Sequence, residues 1–177
     1  VFMGSSTGSL LLDDPDQLEQ LFSQGKRLIA VHAEDEAMVQ SNKRQYQNSK
    51  NVMDHTLIRP PEAALKATKL SVSLAKKHQR RLHICHLTTA EEAMFLDGIT
   101  QVGLITTEVT PQHLLLYGPE IYETIGTFAQ INPPIRTKEH RDALWKALKK
   151  GVIQCIGTDH APHTIEEKEK PFGQAPS

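Results

Sequence analysis

Arg81-Leu82-His83-Ile84-Cys85-His86 is a short, mostly apolar run that leads directly into Leu87-Thr88-Thr89-Ala90-Glu91-Glu92. The run reads as a strand. Thr88 or Thr89 followed by Glu91 and Glu92 reads as a helix start, with carboxylates in the first turn where unpaired amides and the helix dipole favour them. The same order recurs on both sides. Upstream, residues 60–78 carry Ala64, Leu65, Thr68, Val72 and Ala75 at helical spacing and end in Lys76-Lys77-His78, a basic last turn that suits a helix C-terminus. Before them, Arg27-Leu28-Ile29-Ala30-Val31-His32 is another strand-like run. Downstream, Gly103-Leu104-Ile105-Thr106-Thr107-Glu108-Val109 gives a third strand. Residues 137–150 give an amphipathic helix (Ala143, Leu144, Ala147, Leu148), and Gly151-Val152-Ile153-Gln154-Cys155-Ile156-Gly157 a fourth strand. Strands alternating with helices predict βα units and a parallel sheet.

Two stretches, 34–59 and 109–135, read as irregular and begin just after strands, at the end of the sheet where a (β/α)8 barrel carries its active-site loops. Counting the opening Val1-Phe2-Met3 as the end of a further strand gives five strand ends. That is too few to close an eight-stranded barrel of about 250 residues. The expected architecture is α/β: the later part of a TIM barrel, with its N-terminal strands missing from this chain, forming one domain over residues 1–177. The chain starts without methionine and ends in a Gly- and Pro-containing stretch after Glu166, as a piece of a longer protein would.

Composition narrows the function classes. Twenty Lys and Arg against 21 Asp and Glu give a net charge of −1, which provides no electrostatic steering toward nucleic acid. With 38% hydrophobic and 23% charged residues, the chain can bury a core and does not have a disordered composition. No apolar run approaches the roughly 18 residues of a membrane span, and the opening lacks the regions of a signal peptide. Cys85 and Cys155 lie within apolar runs, which predicts buried free thiols, a reducing compartment and a cytoplasmic location.

The chemistry is expected at the strand ends. His32, His86 and Asp159 each follow a strand on the same edge of a parallel sheet. Two imidazoles and a carboxylate are a donor set that catalytic zinc takes, and barrel strands converge at their carboxyl ends. Alone, His32 would be read as a hydrogen-bonded structural histidine; its two companions favour the metal. His83 competes with His86, because alternation along a regular strand puts the two on opposite faces.

His32-Ala33-Glu34-Asp35, His83-Ile84-Cys85-His86-Leu87-Thr88-Thr89, Asn132-Pro133-Pro134-Ile135-Arg136 and Gly157-Thr158-Asp159-His160-Ala161-Pro162-His163 together resemble the later active-site segments of the dihydroorotases, in the cyclic amidohydrolase group of the amidohydrolase superfamily. The opening Phe2-Met3-Gly4-Ser5-Ser6-Thr7-Gly8 is similar to the fourth-strand region of the same family. Hydantoinases and allantoinases share the barrel and the His32-Ala33-Glu34 segment, whereas Asn132 before two prolines and the 159–163 run look more like dihydroorotase.

The resemblance implies roles residue by residue. His32 and His86 match ligands of a second metal, and Asp159 matches a carboxylate that binds the first metal and shuttles the proton. Asn132 matches a contact to the ring amide of the substrate and His163 a contact to its carboxylate; without the resemblance they read as a turn cap and a loop histidine. His160 reads as structural. Glu34 and Asp35 open the loop after His32 and orient it, and Glu108 and His113 read as structural or supporting. Cys155 reads as packing, and residues 4–8 as a loop close to substrate.

The implied reaction is reversible, metal-assisted hydrolysis of (S)-dihydroorotate to N-carbamoyl-L-aspartate in pyrimidine biosynthesis, with two zinc ions in the complete enzyme. The implied partners are the small-molecule substrate and either further copies of the chain or an aspartate carbamoyltransferase. A hydantoinase-type enzyme and a non-catalytic scaffold subunit are the rival readings. The family's first-strand His-x-His pair, the arginine after it and the carboxylated lysine that would precede Val1 are not in these 177 residues. The chain alone is therefore expected to form an incomplete site.

Overall fold

The computed structural model describes residues 1–4, 11–100 and 103–177; most of the expected loop at 4–8 lies outside them. Four strands, β1 (Ile29–Val31), β2 (Leu82–Ile84), β3 (Ile105–Val109) and β4 (Cys155–Ile156), form one sheet in the order β1-β2-β3-β4. Every pairing is parallel, with Ile29 opposite Leu82, Leu82 opposite Ile105 and Glu108 opposite Cys155. Phe2 bridges in parallel to His32, and the amide of Met3 donates to the His32 carbonyl at 3.0 Å, so the opening stretch runs beside the end of β1.

The helices that follow the strands lie where the periodicity puts them. α4 (Pro61–His78) ends at Gln79 in the left-handed region, its amide donating back to Ala75 and Lys76. α5 (Ala90–Leu96) is capped by Thr89, whose side chain accepts from the Glu92 amide. α8 (Lys138–Lys150) ends at Gly151 with φ 80°, a conformation that costs glycine least.

One face of the sheet is sealed and the other is not. Val31, Leu82, Ile84, Ile105 and Val109 point into a core shared with Ala67, Val72 and Ala75 of α4, Leu96 of α5 and Leu144 of α8. Burying a side chain of this size stabilises by roughly 1.5–3 kcal/mol. The alternate residues, Ala30, His83, Thr106, Glu108 and Cys155, are half-buried or exposed. A sheet with helices on one face and polar residues on the other has the layout of one section of a barrel wall, where the second face lines the interior.

Four details depart from the expectation. α1 (Pro15–Ser23) was not foreseen, although Asp14 caps it and Pro15 opens it; its Leu18 and Phe22 enter the core. The stretches read as irregular hold short helices: α2 (Glu36–Gln45), α3 (Asp54–Ile58), α6 (Pro111–Leu115) and α7 (Glu120–Ile125). The tail after the last strand contains one helical turn, α9 (Ile165–Lys168), closed by a capping box between Thr164 and Glu167. Cys155 is not packed inside: β4 is only two residues long and both are exposed, while Cys85 is half-buried and both thiols are free. Among the described residues no helix is long and apolar enough to cross a membrane.

Candidate active site at the strand ends

His32 and His86 come together where β1 and β2 end. His32 Nδ1 lies 2.8 Å from His86 Nε2, the rings meeting edge to face at 71°. Strand alternation does not bring His86 there. β2 stops at Ile84, and His86 has φ +36°, so the chain kinks and the ring leaves the face that alternation would assign. The backbone thus sends the two rings apart: His83 turns to Thr106 and Glu108 on the open face, and His86 turns to His32.

Behind the pair lies a buried charge network. Glu34, fully buried, accepts from His32 Nε2 at 2.8 Å and from Arg59 Nη1. Arg136 donates through Nη1 to the Arg59 carbonyl and through Nε to Thr88 Oγ1. Burial alone would raise the Glu34 carboxyl, but the His32 hydrogen bond and the Arg59 charge outweigh it and hold it down at about 2. Burial, and then the neighbouring His32 and His113, push His86 well below the usual imidazole range. The loop after His86 is pinned by Glu92, which accepts from Thr68 at 2.7 Å and Thr89 at 2.8 Å; burial raises its carboxyl despite these bonds.

This donor set fits a divalent metal. Glu34 takes the Nε2–H of His32, which fixes the tautomer and leaves the Nδ1 lone pair aimed at His86. Zinc–nitrogen bonds of about 2.0–2.1 Å at a tetrahedral centre hold two nitrogens roughly 3.3 Å apart. The two rings would need to part by only about half an ångström.

Above the pair opens a cleft of about 680 Å³ whose lining includes His32, Arg59, Asn132, Asp159 and His163. Four of the five residues singled out by sequence, His32, Asn132, Asp159 and His163, thus line one space, and the fifth, His86, is buried against His32 with 5% exposure. Asp159 is exposed at the mouth with φ +46°. His163 is exposed, its Nδ1 3.5 Å from Glu167. His160 is exposed beside Asp159.

Two histidines hold the backbone around Asn132. His55 Nε2 donates to the Ile131 carbonyl at 2.9 Å, and His113 Nε2 to the Pro133 carbonyl at 3.0 Å. Burial pushes both down to about 4. His55 and Arg59 carried no sequence signal, since the stretch holding them read as a loop; His113 was read as supporting, and it supports this turn.

No family model matches the chain. It is 34% identical to a dihydroorotase of Thermococcus kodakarensis over 96% of the chain and 36% of that relative. It is 32% identical to a dihydroorotase of Methanosarcina acetivorans over 100% of the chain and 40% of that relative. Among solved structures, the L-hydantoinase (dihydropyrimidinase) from Arthrobacter aurescens superposes with TM-score 0.87 at 25% identity, covering 95% of the chain and 39% of that protein. A D-hydantoinase gives 0.86 at 27%, covering 99% and 40%. The chain thus spans about 36–40% of the length of these dihydroorotases, and the partial barrel agrees with the share of the hydantoinases it covers. It is dihydroorotase-like, corresponding to part of those proteins and sharing the fold of their amidohydrolase-family neighbours, the hydantoinases.

Proposed function

We propose that this chain supplies the later strand-end loops of a dihydroorotase, and that a protein carrying it interconverts (S)-dihydroorotate and N-carbamoyl-L-aspartate in pyrimidine biosynthesis. The observation that carries the reading is the pair His32 Nδ1 and His86 Nε2, 2.8 Å apart, with Glu34 holding the far nitrogen of His32. His32, His86 and Asp159 would hold divalent ions, zinc by their donor types. Such ions, when bound, acidify water and polarise an amide carbonyl.

The remaining steps belong to side chains. Asp159 takes the proton of the attacking water and returns it to the ring nitrogen as the amide C–N bond breaks, which requires a carboxylate that reaches both. Asn132 pairs with the ring amide through its own amide, and His163 donates to the substrate carboxylate. Of the three non-glycine residues with positive φ among the described residues, two are His86 and Asp159, and backbone strain of this kind gathers at functional positions. The free thiols suit a reducing cytoplasm.

A hydantoinase is the second reading, favoured by the TM-score of 0.87 to the L-hydantoinase of Arthrobacter aurescens. The two separate by assay of the whole protein that carries this chain, at saturating zinc, with dihydroorotate, hydantoin and allantoin. Faster turnover of dihydroorotate is expected; faster turnover of hydantoin or allantoin would replace the proposal.

A further inference from the structure

The open face of the sheet carries a second cluster of ligand-type side chains that the reaction above does not use. His83 on β2, Glu108 on β3 and Cys155 on β4 offer one nitrogen, one oxygen and one sulfur, all within 4.8 Å of one another. His83 Nε2 and Glu108 Oε2 are 3.3 Å apart. That is long for a charge-assisted hydrogen bond of roughly 2.7–2.9 Å and close to the separation of two ligands on one tetrahedral zinc, about 3.3 Å.

The surroundings orient these atoms. Thr106 Oγ1 donates to the Leu82 carbonyl at 3.4 Å and lies 2.9 Å from His83 Nδ1. In the tautomer that carries its proton on Nδ1, His83 donates to the Thr106 oxygen and its Nε2 lone pair faces the Glu108 carboxylate. A lone pair and an anionic oxygen in that arrangement call for something positive between them. Gly157 makes the room: a Cβ there would clash with the Glu108 carboxylate.

We propose that His83, Glu108 and Cys155 form a second cation site, selective for zinc-like, borderline-soft divalent ions. The sulfur sets the class: thiolate with imidazole favours zinc, cobalt or cadmium over magnesium or calcium. The site is separate in its ligands from the His32–His86 pair, so the proposal does not depend on the dihydroorotase reading. The slight covering of the Cys155 sulfur and the adjacent Glu108 carboxylate push its thiol up. Metal binding therefore displaces the Sγ proton to solvent as the metal–sulfur bond forms, with no change of oxidation state.

Cobalt(II) tests this directly, because a cobalt–thiolate bond gives a near-ultraviolet charge-transfer absorption and the His32–His86 pair contains no sulfur. The 177-residue chain titrated with cobalt(II) should develop the band and release a proton in weak buffer, and excess zinc should displace it. Cys155→Ser, at an exposed position on a short edge strand, should abolish the band. Glu108→Gln should weaken cobalt affinity at least about tenfold, because removing even a hydrogen-bonding partner of a ligand costs about 10- to 100-fold. His32→Ala with His86→Ala should leave the band in place. Absence of the band at saturating cobalt, its survival in Cys155→Ser, or its loss in the His32/His86 double variant with the circular dichroism unchanged would each overturn the proposal.

Discussion

His113 Nε2 donates to the carbonyl of Pro133 across 3.0 Å, one residue beyond Asn132, while His55 makes the matching bond to Ile131 at 2.9 Å on the other side. The two rings come from α6 and α3, which follow different strands, so the turn that presents Asn132 is held from two loops at once. Thr110 Oγ1, 2.8 Å from His113 Nδ1, occupies the other ring nitrogen. Replacing His113 with Phe keeps the ring and removes the donor, leaving a buried carbonyl unpaired at a cost of about 1–3 kcal/mol. His113→Phe should lower the denaturant midpoint accordingly and His113→Gln should recover part of the loss. Equal stability of the Phe variant and the parent would show that the bond holds nothing.

The same histidines make the fold acid-sensitive. Burial holds both at about 4 against an ordinary 6.5, so between those values the unfolded chain binds protons that the folded chain excludes. Their contribution is complete above pH 6.5 and falls away as pH drops through 4. At about 1.36 kcal/mol per pH unit between the two values, each histidine accounts for up to about 3 kcal/mol. Urea melts between pH 7.5 and 4 should show stability falling with acidity, less steeply in His113→Gln. A flat profile over that range would contradict the assignment.

Much of this arrangement is legible in the sequence. The apolar runs ending at His32 and His86 and the helical spacing of residues 60–78 and 137–150 place the βα units within a few residues, because burial against one sheet face imposes both periods. What escapes is local. α1 is nine residues long and its Asp14-Pro15 start sits in an otherwise polar stretch. The short helices α2, α3, α6 and α7 are stabilised by caps and packing more than by a long apolar stripe. The meeting of His86 with His32 needs a left-handed residue that alternation cannot express, and the exposure of Cys155 depends on what lies beside β4, which local hydrophobicity does not report.

Glu34 is the hinge between the histidine pair and the two buried arginines. Glu34→Gln keeps an oxygen for the His32 Nε2–H but removes the negative charge beside Arg59, stranding a guanidinium in the interior. Breaking a buried pair from one side costs about 3–5 kcal/mol, and loss of an oriented histidine partner costs about 10- to 100-fold in metal affinity. Thermal melting and zinc titration of this variant should show both effects. Stability within about 1 kcal/mol of the parent would mean that the Arg59 charge is satisfied elsewhere.

Asp159 should matter to chemistry more than to fold, since it is exposed at the cleft mouth. In a protein that carries this chain and turns over dihydroorotate, Asp159→Asn should reduce kcat by at least the 10²- to 10⁴-fold typical of a lost general acid–base group. Melting behaviour should stay close to that of the parent. Near-parental turnover at saturating metal would remove Asp159 from proton transfer.

Asn132 and His163 should instead act on substrate choice. Dihydroorotate presents a ring amide and a carboxylate, and both residues line the cleft that holds His32 and Asp159. Losing one hydrogen bond to a bound polar group costs about 1–3 kcal/mol, which at 1.36 kcal/mol per decade is about ten- to a hundred-fold in kcat/KM. Asn132→Ala and His163→Ala should show that loss with metal content unchanged. The His163 variant should lose more on dihydroorotate than on a cyclic amide without the carboxylate, because only the former brings the group that His163 would meet. Equal losses on both compounds would take His163 out of carboxylate recognition and leave it as a loop residue paired with Glu167.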